Sequence, residues 1–247
     1  MNLTCQNPII LIMPNIFKYM DLTPLISMKK KIFAIIPAYN EEKYIGRIVG
    51  KTKKYVDKVV VVDDCSKDRT ASLARRNKAI VLTHLVNLGK GAALKTGCDY
   101  AAENSACFII AIDADAQHNP EDIPRFLESL KGHDIVLGCR KLNRKMPFVL
   151  KFGNWFINKT IRFLYGVKIR DSQCGYRAFT TKAYKKLRWK ASDYSMESEM
   201  IAKMGKYKLS YAEIPISTIY SDRYKGTTVL DGIKIVFSLL IWKLNHL

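Results

Sequence analysis

The sequence predicts an α/β fold with a Rossmann-like, mostly parallel sheet, and three observations support that class. Apolar segments alternate with helical patterns from Lys31 onward, at intervals of about 25 residues. The apolar segments are nearly continuous in Val and Ile, which is typical of strands covered by helices on both faces. The chain has 247 residues and is 48% hydrophobic, as expected for one large domain with a substantial core.

The predicted strands share near-continuous β-branched content. They span Ile32–Pro37, Lys58–Asp63, Ala79–His84, Cys107–Asp113 and Asp134–Cys139. The predicted helices between them span Glu41–Tyr55, Asp68–Asn77, Gly91–Glu103 and Pro120–Leu130. This alternation indicates a doubly wound sheet, whose ligands bind at the carboxyl ends of the strands.

The pattern changes after Arg140. We predict an aromatic, basic interfacial helix at 147–165, a helix near Glu197–Met204, strands at Leu209–Ile214 and Ser217–Tyr220, and a last apolar helix at Val229–Leu244. Residues 1–27 are expected to be a flexible leader or an extension ahead of the native start, in preference to a segment that touches a membrane weakly. The domain itself is expected to cover 28–227, followed by the apolar helix within 228–247.

The net charge of +19 is concentrated in one part of the chain. Between Arg140 and Lys190 there are fifteen Lys and Arg residues against one acid, Asp171. The six cysteines show no metal or disulfide spacing, which favours a reducing, cytoplasmic compartment. No segment reaches the roughly 18 uninterrupted apolar residues that a spanning helix requires.

The most informative segment is Phe108–His118, in which an apolar run ends in Asp113 and Asp115. Side chains two residues apart on an extended strand point to the same face, so both carboxylates are expected to face one site. Such a pair suits a hard divalent cation that bridges phosphate oxygens. The alternative interpretation is a solvated turn, where Asp is common.

Two further polar clusters follow predicted strands. Pro37–Glu42 follows the first strand and Asp63–Ser66 follows the second, so both are expected at the same sheet edge as the acid pair. Together they offer an aromatic wall, a carboxylate and a cation site, as a nucleotide diphosphate requires. Lys90, in a glycine-rich turn, either approaches this site or simply begins a helix. The glycine motifs of dinucleotide folds and P-loops are absent from the sequence.

Five motifs in order resemble the inverting family 2 glycosyltransferases of the GT-A fold: IIPAYNE, VVVVDDCSKDRT, NLGKGAALKTG, DADAQH and DSQCGYRAF. More narrowly, the chain resembles the dolichol-phosphate mannosyltransferases and dolichyl-phosphate glucosyltransferases. The resemblance implies transfer from a nucleotide sugar, of the GDP-mannose or UDP-glucose type, to a polyprenyl phosphate. It extends from about Ile32 to Gly226 and leaves out the first residues and the last helix.

The resemblance also implies roles for particular residues. The donor is expected to contact Pro37, Tyr39, Glu41, Val62, Asp64 and Ala114. Mg²⁺ or Mn²⁺ and the diphosphate are expected at Asp113, Asp115 and Gln117. Donor and acceptor phosphates are expected at Arg140 and Arg223, with Arg144 as a further acceptor ligand; Asp113, Asp115, Arg140 and Arg223 form the expected catalytic set.

The sequence departs from the family pattern at two places. Relatives often carry Gly-x-Ser-Lys after the late arginine, whereas this chain has Gly226-Thr227-Thr228-Val229, without that lysine. Cys139 stands where Ser is common, which removes a hydroxyl group.

A lipid-phosphate acceptor explains the basic segment best, because a phosphate anion needs cations around it and no base. The aromatics and cations of 147–165 suit an anionic membrane surface, with the protein bound peripherally at the cytoplasmic face. The alternative is a helix packed on the domain with a solvated basic face. The last helix can line the membrane, pair with a second protomer as a homodimer, or cover the core.

Three other functions stay open at this stage. A basic nucleic-acid-binding protein would suit the charge, but the sequence shows no signature of that class, and we expect no nucleic-acid partner. A family 2 enzyme that acts on a polysaccharide or another hydroxyl acceptor would need a carboxylate base, for which Glu197 and Glu199 are the candidates. A sugar nucleotidyltransferase would usually show a glycine-rich motif at the first strand.

Overall fold

Seven strands form the sheet at the centre of the computed structural model, which describes residues 30–140, 148–217 and 229–244. The strands are β1 (Ile32–Ala38), β2 (Lys58–Asp63), β3 (Ile80–Thr83), β4 (Phe108–Ala111), β5 (Ile135–Arg140), β6 (Arg177–Thr180) and β7 (Tyr211–Ile216). Five of them correspond to the five strands predicted before Arg140. The mostly parallel α/β fold is confirmed.

The strand order is β3-β2-β1-β4-β6-β5-β7. β6 pairs antiparallel with both β4 and β5, and all the other pairings are parallel. The carboxyl ends of β1, β2 and β4 therefore meet at one edge, as the alternation of strands and helices predicted.

Eight helices are described in these ranges: α1 (Ile45–Thr52), α2 (Thr70–Arg76), α3 (Lys90–Glu103), α4 (Ile123–Ser129), α5 (Phe148–Tyr165), α6 (Thr181–Leu187), α7 (Met196–Lys206) and α8 (Val229–Leu244). A 3-10 turn, Pro120–Asp122, precedes α4, with Asn119 Oδ1 accepting the Glu121 amide. The helix predicted from Glu41 begins only at Ile45, because residues 42–44 form turns.

The helices cover both faces of the sheet, and the alternation of side chains along β1 shows this directly. Phe33 and Ile35 pack into a core with α3, α5, α6, α7 and α8. Ala34 and Ile36 pack into a second core with α1, α2 and α4. Every one of these four side chains is fully buried, which explains the continuous apolar pattern of the strand.

Three details of the sequence prediction differ from the structure. β6 and α6 were not predicted, because β6 is only four residues long and contains a charged residue, Arg177. The strand predicted at Leu209–Ile214 runs from Tyr211 to Ile216. Of the strand predicted at Ser217–Tyr220, Ser217 lies outside β7, and residues 218–220 are outside the described residues.

The two long helices α5 and α8 pack against each other, and Tyr165 Oη donates a hydrogen bond of 2.7 Å to the Leu239 carbonyl. Both have apolar side chains exposed to solvent, including Phe163 on α5 and Phe237 on α8. Across the described residues, no helix combines the length and apolar character that crossing a membrane requires.

Candidate active site

A cavity of about 380 Å³ opens at the carboxyl edge of β1, β2 and β4. It is lined by Pro37, Ala38, Tyr39, Glu41, Asp64, Asn87, Gly89, Lys90, Ala93, Asp113, Ala114, Asp115, Asp193 and Tyr194. Three separate strand ends contribute to it, so the predicted convergence of the polar clusters is present in the fold.

Seven of the predicted site residues line this cavity: Pro37, Tyr39, Glu41, Asp64, Asp113, Ala114 and Asp115. Val62 does not line it and is fully buried in the core with α3. Gln117 is half-buried and is not part of the lining. Arg144 and Arg223 are outside the described residues, so their predicted roles stay predictions.

The acid pair reaches the cavity from a loop. β4 ends at Ala111, so strand alternation is the wrong reason for placing Asp113 and Asp115 together. The loop turns at Ala116, whose φ is +62°, and Asp115 Oδ1 accepts the backbone N–H of Gln117 at 3.0 Å. Burial, together with the nearby charge of Asp113, raises the pKa of Asp115 to about 6.

Two side chains, those of Lys90 and His118, lie within ion-pair distance of the Asp113 carboxylate. Lys90 Nζ lies 2.9 Å from its Oδ1, and His118 Nε2 lies 3.7 Å from its Oδ2. Burial opposes ionisation of this carboxyl, but Lys90 and His118 outweigh that effect and lower its pKa. Burial lowers the pKa of His118 to about 4, so that imidazole is neutral near pH 7.

Lys90 is the residue whose role the sequence left open. Besides Asp113, its ammonium contacts Glu197 Oε1 at 3.2 Å and lies 5.6 Å from the centroid of the Tyr194 ring. Burial disfavours the charged ammonium, yet Asp113 and Glu197 raise its pKa above the usual range. The Gly89-Lys90-Gly91 sequence is equally compatible with a plain helix-start turn. The tertiary structure shows that Lys90 lines the cavity and pairs with Glu197 of α7.

Asp64 shapes the loop that carries Lys90. Its two carboxylate oxygens accept the backbone N–H groups of Leu88 and Gly89, at 2.9 and 2.8 Å. His84 Nδ1 lies 2.7 Å from Oδ1 of the same carboxylate. Gly89 has φ of +92°, a conformation that a glycine adopts without strain. Asp64 therefore lines the cavity and also orders its glycine-rich turn.

The segments after β1 and β2 are joined by hydrogen bonds. Asn40 N–H donates to Ser66 Oγ, and Asn40 Oδ1 accepts the Lys67 N–H, both at 2.9 Å. The Glu41 N–H donates to Thr70 Oγ1 at 2.8 Å. These contacts hold Tyr39 and Glu41 at the cavity wall, and 43% of Tyr39 remains exposed.

Arg140 lies at the end of β5 and forms a bidentate pair with Asp171, through Nε at 2.7 Å and Nη2 at 2.9 Å. The loop that carries Asp171 is organised by Arg177, which is 1% exposed. Its guanidinium donates to the carbonyls of Ser172, Cys174 and Glu197 at 2.7 to 3.0 Å. Sequence inspection missed this structural arginine, because a charge inside a strand resembles a surface position.

The two glutamates considered as bases both have their carboxylates bound by other groups of the protein. Glu199 accepts the backbone N–H groups of Lys190 and Ala191 and pairs with Lys203 at 2.9 Å. Glu197 is 2% exposed, does not line the cavity and is held by Lys90. Neither carboxylate is therefore presented to the cavity as a base.

The residues at the acid pair fit a divalent cation of the Mg²⁺ type. Within the described part of the chain, no three His, Cys, Asp or Glu side chains form a complete metal-ligand cluster. Mg²⁺ is usually held by one or two carboxylates together with substrate phosphates, so a pair of acids is a sufficient protein contribution. The pKa of Asp115 is raised first by burial and then by the charge of Asp113, and a bound cation would oppose both effects.

The cavity lies at the switch point of a mostly parallel sheet, where α/β folds bind their ligands. Comparison with known proteins specifies the class. The model of "Glycosyl transferase family 2" matches residues 33–188. The chain belongs to this family and is a glycosyltransferase.

Its relatives include an uncharacterized protein of Methanocaldococcus jannaschii, 38% identical over 87% of this chain and 93% of its own. The UDP-N-acetylglucosamine–dolichyl-phosphate N-acetylglucosaminyltransferase of Methanococcus voltae is 35% identical, over 87% of this chain and 97% of its own. The polyprenol monophosphomannose synthase of Mycolicibacterium smegmatis is 28% identical, over 86% and 87%. The resemblance to polyprenyl-phosphate glycosyltransferases is confirmed.

Among solved structures, glucosyl-3-phosphoglycerate synthase from Mycobacterium tuberculosis matches with a TM-score of 0.73. It is 20% identical, and the match covers 87% of this chain and 80% of that one. That structure holds Mn²⁺, UDP-glucose and phosphoglyceric acid. The likeness confirms the GT-A fold.

Proposed function

We propose that this enzyme transfers a sugar, with inversion, from a nucleotide-sugar donor to a polyprenyl phosphate at a membrane surface. The observation that carries the proposal is the convergence of Tyr39, Asp64 and the Asp113/Asp115 pair on one cavity. Relatives named for dolichyl, polyprenyl and undecaprenyl phosphate support the choice of acceptor.

The donor's nucleoside is assigned to the wall formed by Pro37, Tyr39, Glu41 and Asp64, with Val62 buried in the core. An exposed tyrosine ring suits stacking on a base, and carboxylates suit the donor groups of ribose and base. Ala114 leaves room for the diphosphate between the two acids.

The acid pair is assigned to Mg²⁺ or Mn²⁺, with Gln117 as a further ligand. The bound cation would neutralise the charge that develops on the departing diphosphate. Asp115 must be ionised to contribute, while Lys90 adds a positive charge at the same edge of the cavity. Solved relatives of the same fold with Mn²⁺ or Mg²⁺ support this assignment.

The acceptor's phosphate oxygen attacks the anomeric carbon as the bond from that carbon to the diphosphate oxygen breaks. The products are a glycosyl polyprenyl phosphate and a nucleoside diphosphate. A phosphate monoester is already anionic near neutral pH, so no base is required. Arg140, Arg144 and Arg223 are assigned to hold it, and Asp171 fixes the orientation of Arg140.

Membrane contact is assigned to the exposed apolar stripes of α5 and α8. Trp155, Phe156 and Phe163 fall within an arc of about 100° on α5. Phe237, Leu240, Ile241 and Leu244 do the same on α8. Lys159 lies within the first stripe, over the Trp155 ring, and Arg162 lies at its edge, as in helices at the interface of anionic membranes. We place the enzyme peripherally at the cytoplasmic face.

The test offers a panel of UDP- and GDP-sugars to the enzyme with polyprenyl phosphate and Mg²⁺, and detects glycolipid products by mass. We expect one donor to yield a glycosyl polyprenyl phosphate, and we expect its formation to stop when EDTA is added to the reaction. Relatives named for N-acetylglucosamine, mannose and glucose define the panel. Transfer only to a sugar hydroxyl would refute the acceptor assignment.

A further inference from the structure

Glu197 and Lys90 form an ion pair behind the acid pair of the cavity. The Lys90 ammonium lies between two carboxylates, 2.9 Å from Asp113 Oδ1 and 3.2 Å from Glu197 Oε1. Lys90 and Asp113 line the cavity, whereas Glu197 does not. Any effect of Glu197 on bound ligands therefore passes through Lys90.

The burial of Glu197 makes this pair unusual. Glu197 is 2% exposed, and its Oε2 has no hydrogen-bond partner among the described residues. A buried carboxylate with one unsatisfied oxygen is costly unless a nearby cation compensates it. Gly175 leaves the necessary space, because a Cβ at that position would lie 2.9 Å from Lys90 Nζ.

The charges around the cavity match a divalent cation. Five carboxylates line the cavity, those of Glu41, Asp64, Asp113, Asp115 and Asp193, against one ammonium, that of Lys90, and this acidic surplus favours a cation. Lys90 also occupies one side of Asp113, where it competes with any metal ion for that carboxylate.

We propose that Glu197 is a positioning residue that draws Lys90 away from Asp113 when the cation binds and holds it ready for the donor's diphosphate. This inference rests on the proposed function. In the free enzyme Lys90 neutralises Asp113; in the loaded enzyme it stays on Glu197 and faces the phosphates. Without Glu197, Lys90 would remain on Asp113 and exclude the cation.

The test measures Mn²⁺ binding to the ligand-free protein by the electron paramagnetic resonance of the free ion. Glu197→Gln should weaken Mn²⁺ binding by about tenfold, since Lys90 then has Asp113 as its remaining described carboxylate partner. Lys90→Met should strengthen Mn²⁺ binding, because the competing cation is gone. The double variant should bind Mn²⁺ within about threefold of Lys90→Met, because Glu197 acts through Lys90 and has no effect once Lys90 is absent.

Steady-state transfer provides a second readout with a distinct signature. Lys90→Met should lower kcat by about a hundredfold even though it binds Mn²⁺ more tightly, because the diphosphate loses a positive charge in the transition state. Glu197→Gln should mainly raise the apparent KM for the metal-bound donor. If Glu197 only supported the fold, its replacement would not raise this KM separately from kcat.

Glu128→Gln is the matched control, since it removes an exposed pair with Lys131 far from the cavity lining. Thermal unfolding of every variant reports whether the fold is retained. Equal Mn²⁺ affinities in the wild type and both single variants, alongside normal glycolipid synthesis by the wild type, would overturn this inference and leave the proposed function intact. A double variant as weak as Glu197→Gln would also overturn it.

Discussion

Asp115 is the residue at which stability and function oppose each other most clearly. Burial and the charge of Asp113 raise its pKa to about 6, so its ionised form is disfavoured in the ligand-free protein. Relative to the unfolded chain, this carboxyl adds stability below its usual pKa and loses that contribution as the pH rises through about 6. At pH 7.5 the folded protein therefore carries an electrostatic cost.

Replacing Asp115 with Asn should abolish transfer and stabilise the fold. We expect at least a hundredfold loss of kcat, because a cation ligand is removed. The free energy of unfolding should rise by about 1 to 2 kcal/mol at pH 7.5, and the gain should shrink at pH 5, where the wild-type carboxyl is largely protonated. Urea titrations at both pH values measure this difference. Metal-dependent turnover at the wild-type rate would contradict the assignment.

Arg223 tests the acceptor side, where the resemblance alone supports the prediction. Arg223→Ala should raise the KM for polyprenyl phosphate by about tenfold or more, since a charge-assisted contact to phosphate is lost. The KM for the nucleotide sugar serves as the internal comparison. Unchanged kinetics toward the acceptor would show that another cation holds its phosphate.

At the scale of elements, the loop between α5 and β6 connects the two halves of the site. Asp171 in its middle fixes Arg140, and Gly175 near its end packs on Asp113 and Lys90. The fully buried Arg177 binds three backbone carbonyls and so shapes the loop and the start of α7 together. Arg140 and the acid pair therefore share one structural support.

Gly175→Ala is expected to damage the site more than the fold. A Cβ would lie 2.5 Å from Asp113 Oδ2, so this carboxylate must move. We expect Mn²⁺ affinity to fall by about tenfold, while the thermal midpoint changes little because the displaced atoms are side-chain ends. Gly132→Ala is the control, since its Cβ would meet nothing within 4 Å. Equal Mn²⁺ affinities in both variants would contradict this role.

The residues that the sequence identified are those whose chemistry is local. Asp113 and Asp115 end an apolar run, and Tyr39 and Asp64 follow two others, so a doubly wound sheet was enough to bring them together. Lys90, Glu197 and Arg177 needed the tertiary structure, because α7 and β6 come from distant parts of the chain. β6 also runs antiparallel, which no local pattern indicated.

At the scale of the whole molecule, the stripes of exposed apolar side chains on α5 and α8 stand out among the described residues. Phe163 is 89% exposed and Phe237 is 64% exposed. The proposed lipid acceptor would deliver its phosphate from a membrane, and exposed apolar side chains beside cations suit that contact.

We expect the enzyme to sediment with anionic vesicles at low salt and to bind neutral vesicles more weakly, since each nearby Lys or Arg contributes roughly 1 kcal/mol on anionic lipid. The double variant Phe163→Ser, Phe237→Ser should lose most of this binding. Leu85→Ser is the matched control, as Leu85 is exposed in the loop after β3. If the double variant still sediments like the control, the membrane surface lies elsewhere.

By itself, the sequence determined the fold class, the family and half of the cavity wall, because strand patterns and strand-end motifs each lie within a short stretch of chain. The tertiary structure decided how the charges are paired. Lys90 faces Asp113 and Glu197, and Arg140 faces Asp171, across separations of 23 to 107 residues. Ion pairing depends on distances of a few ångströms between side chains, and only the packed fold sets those distances.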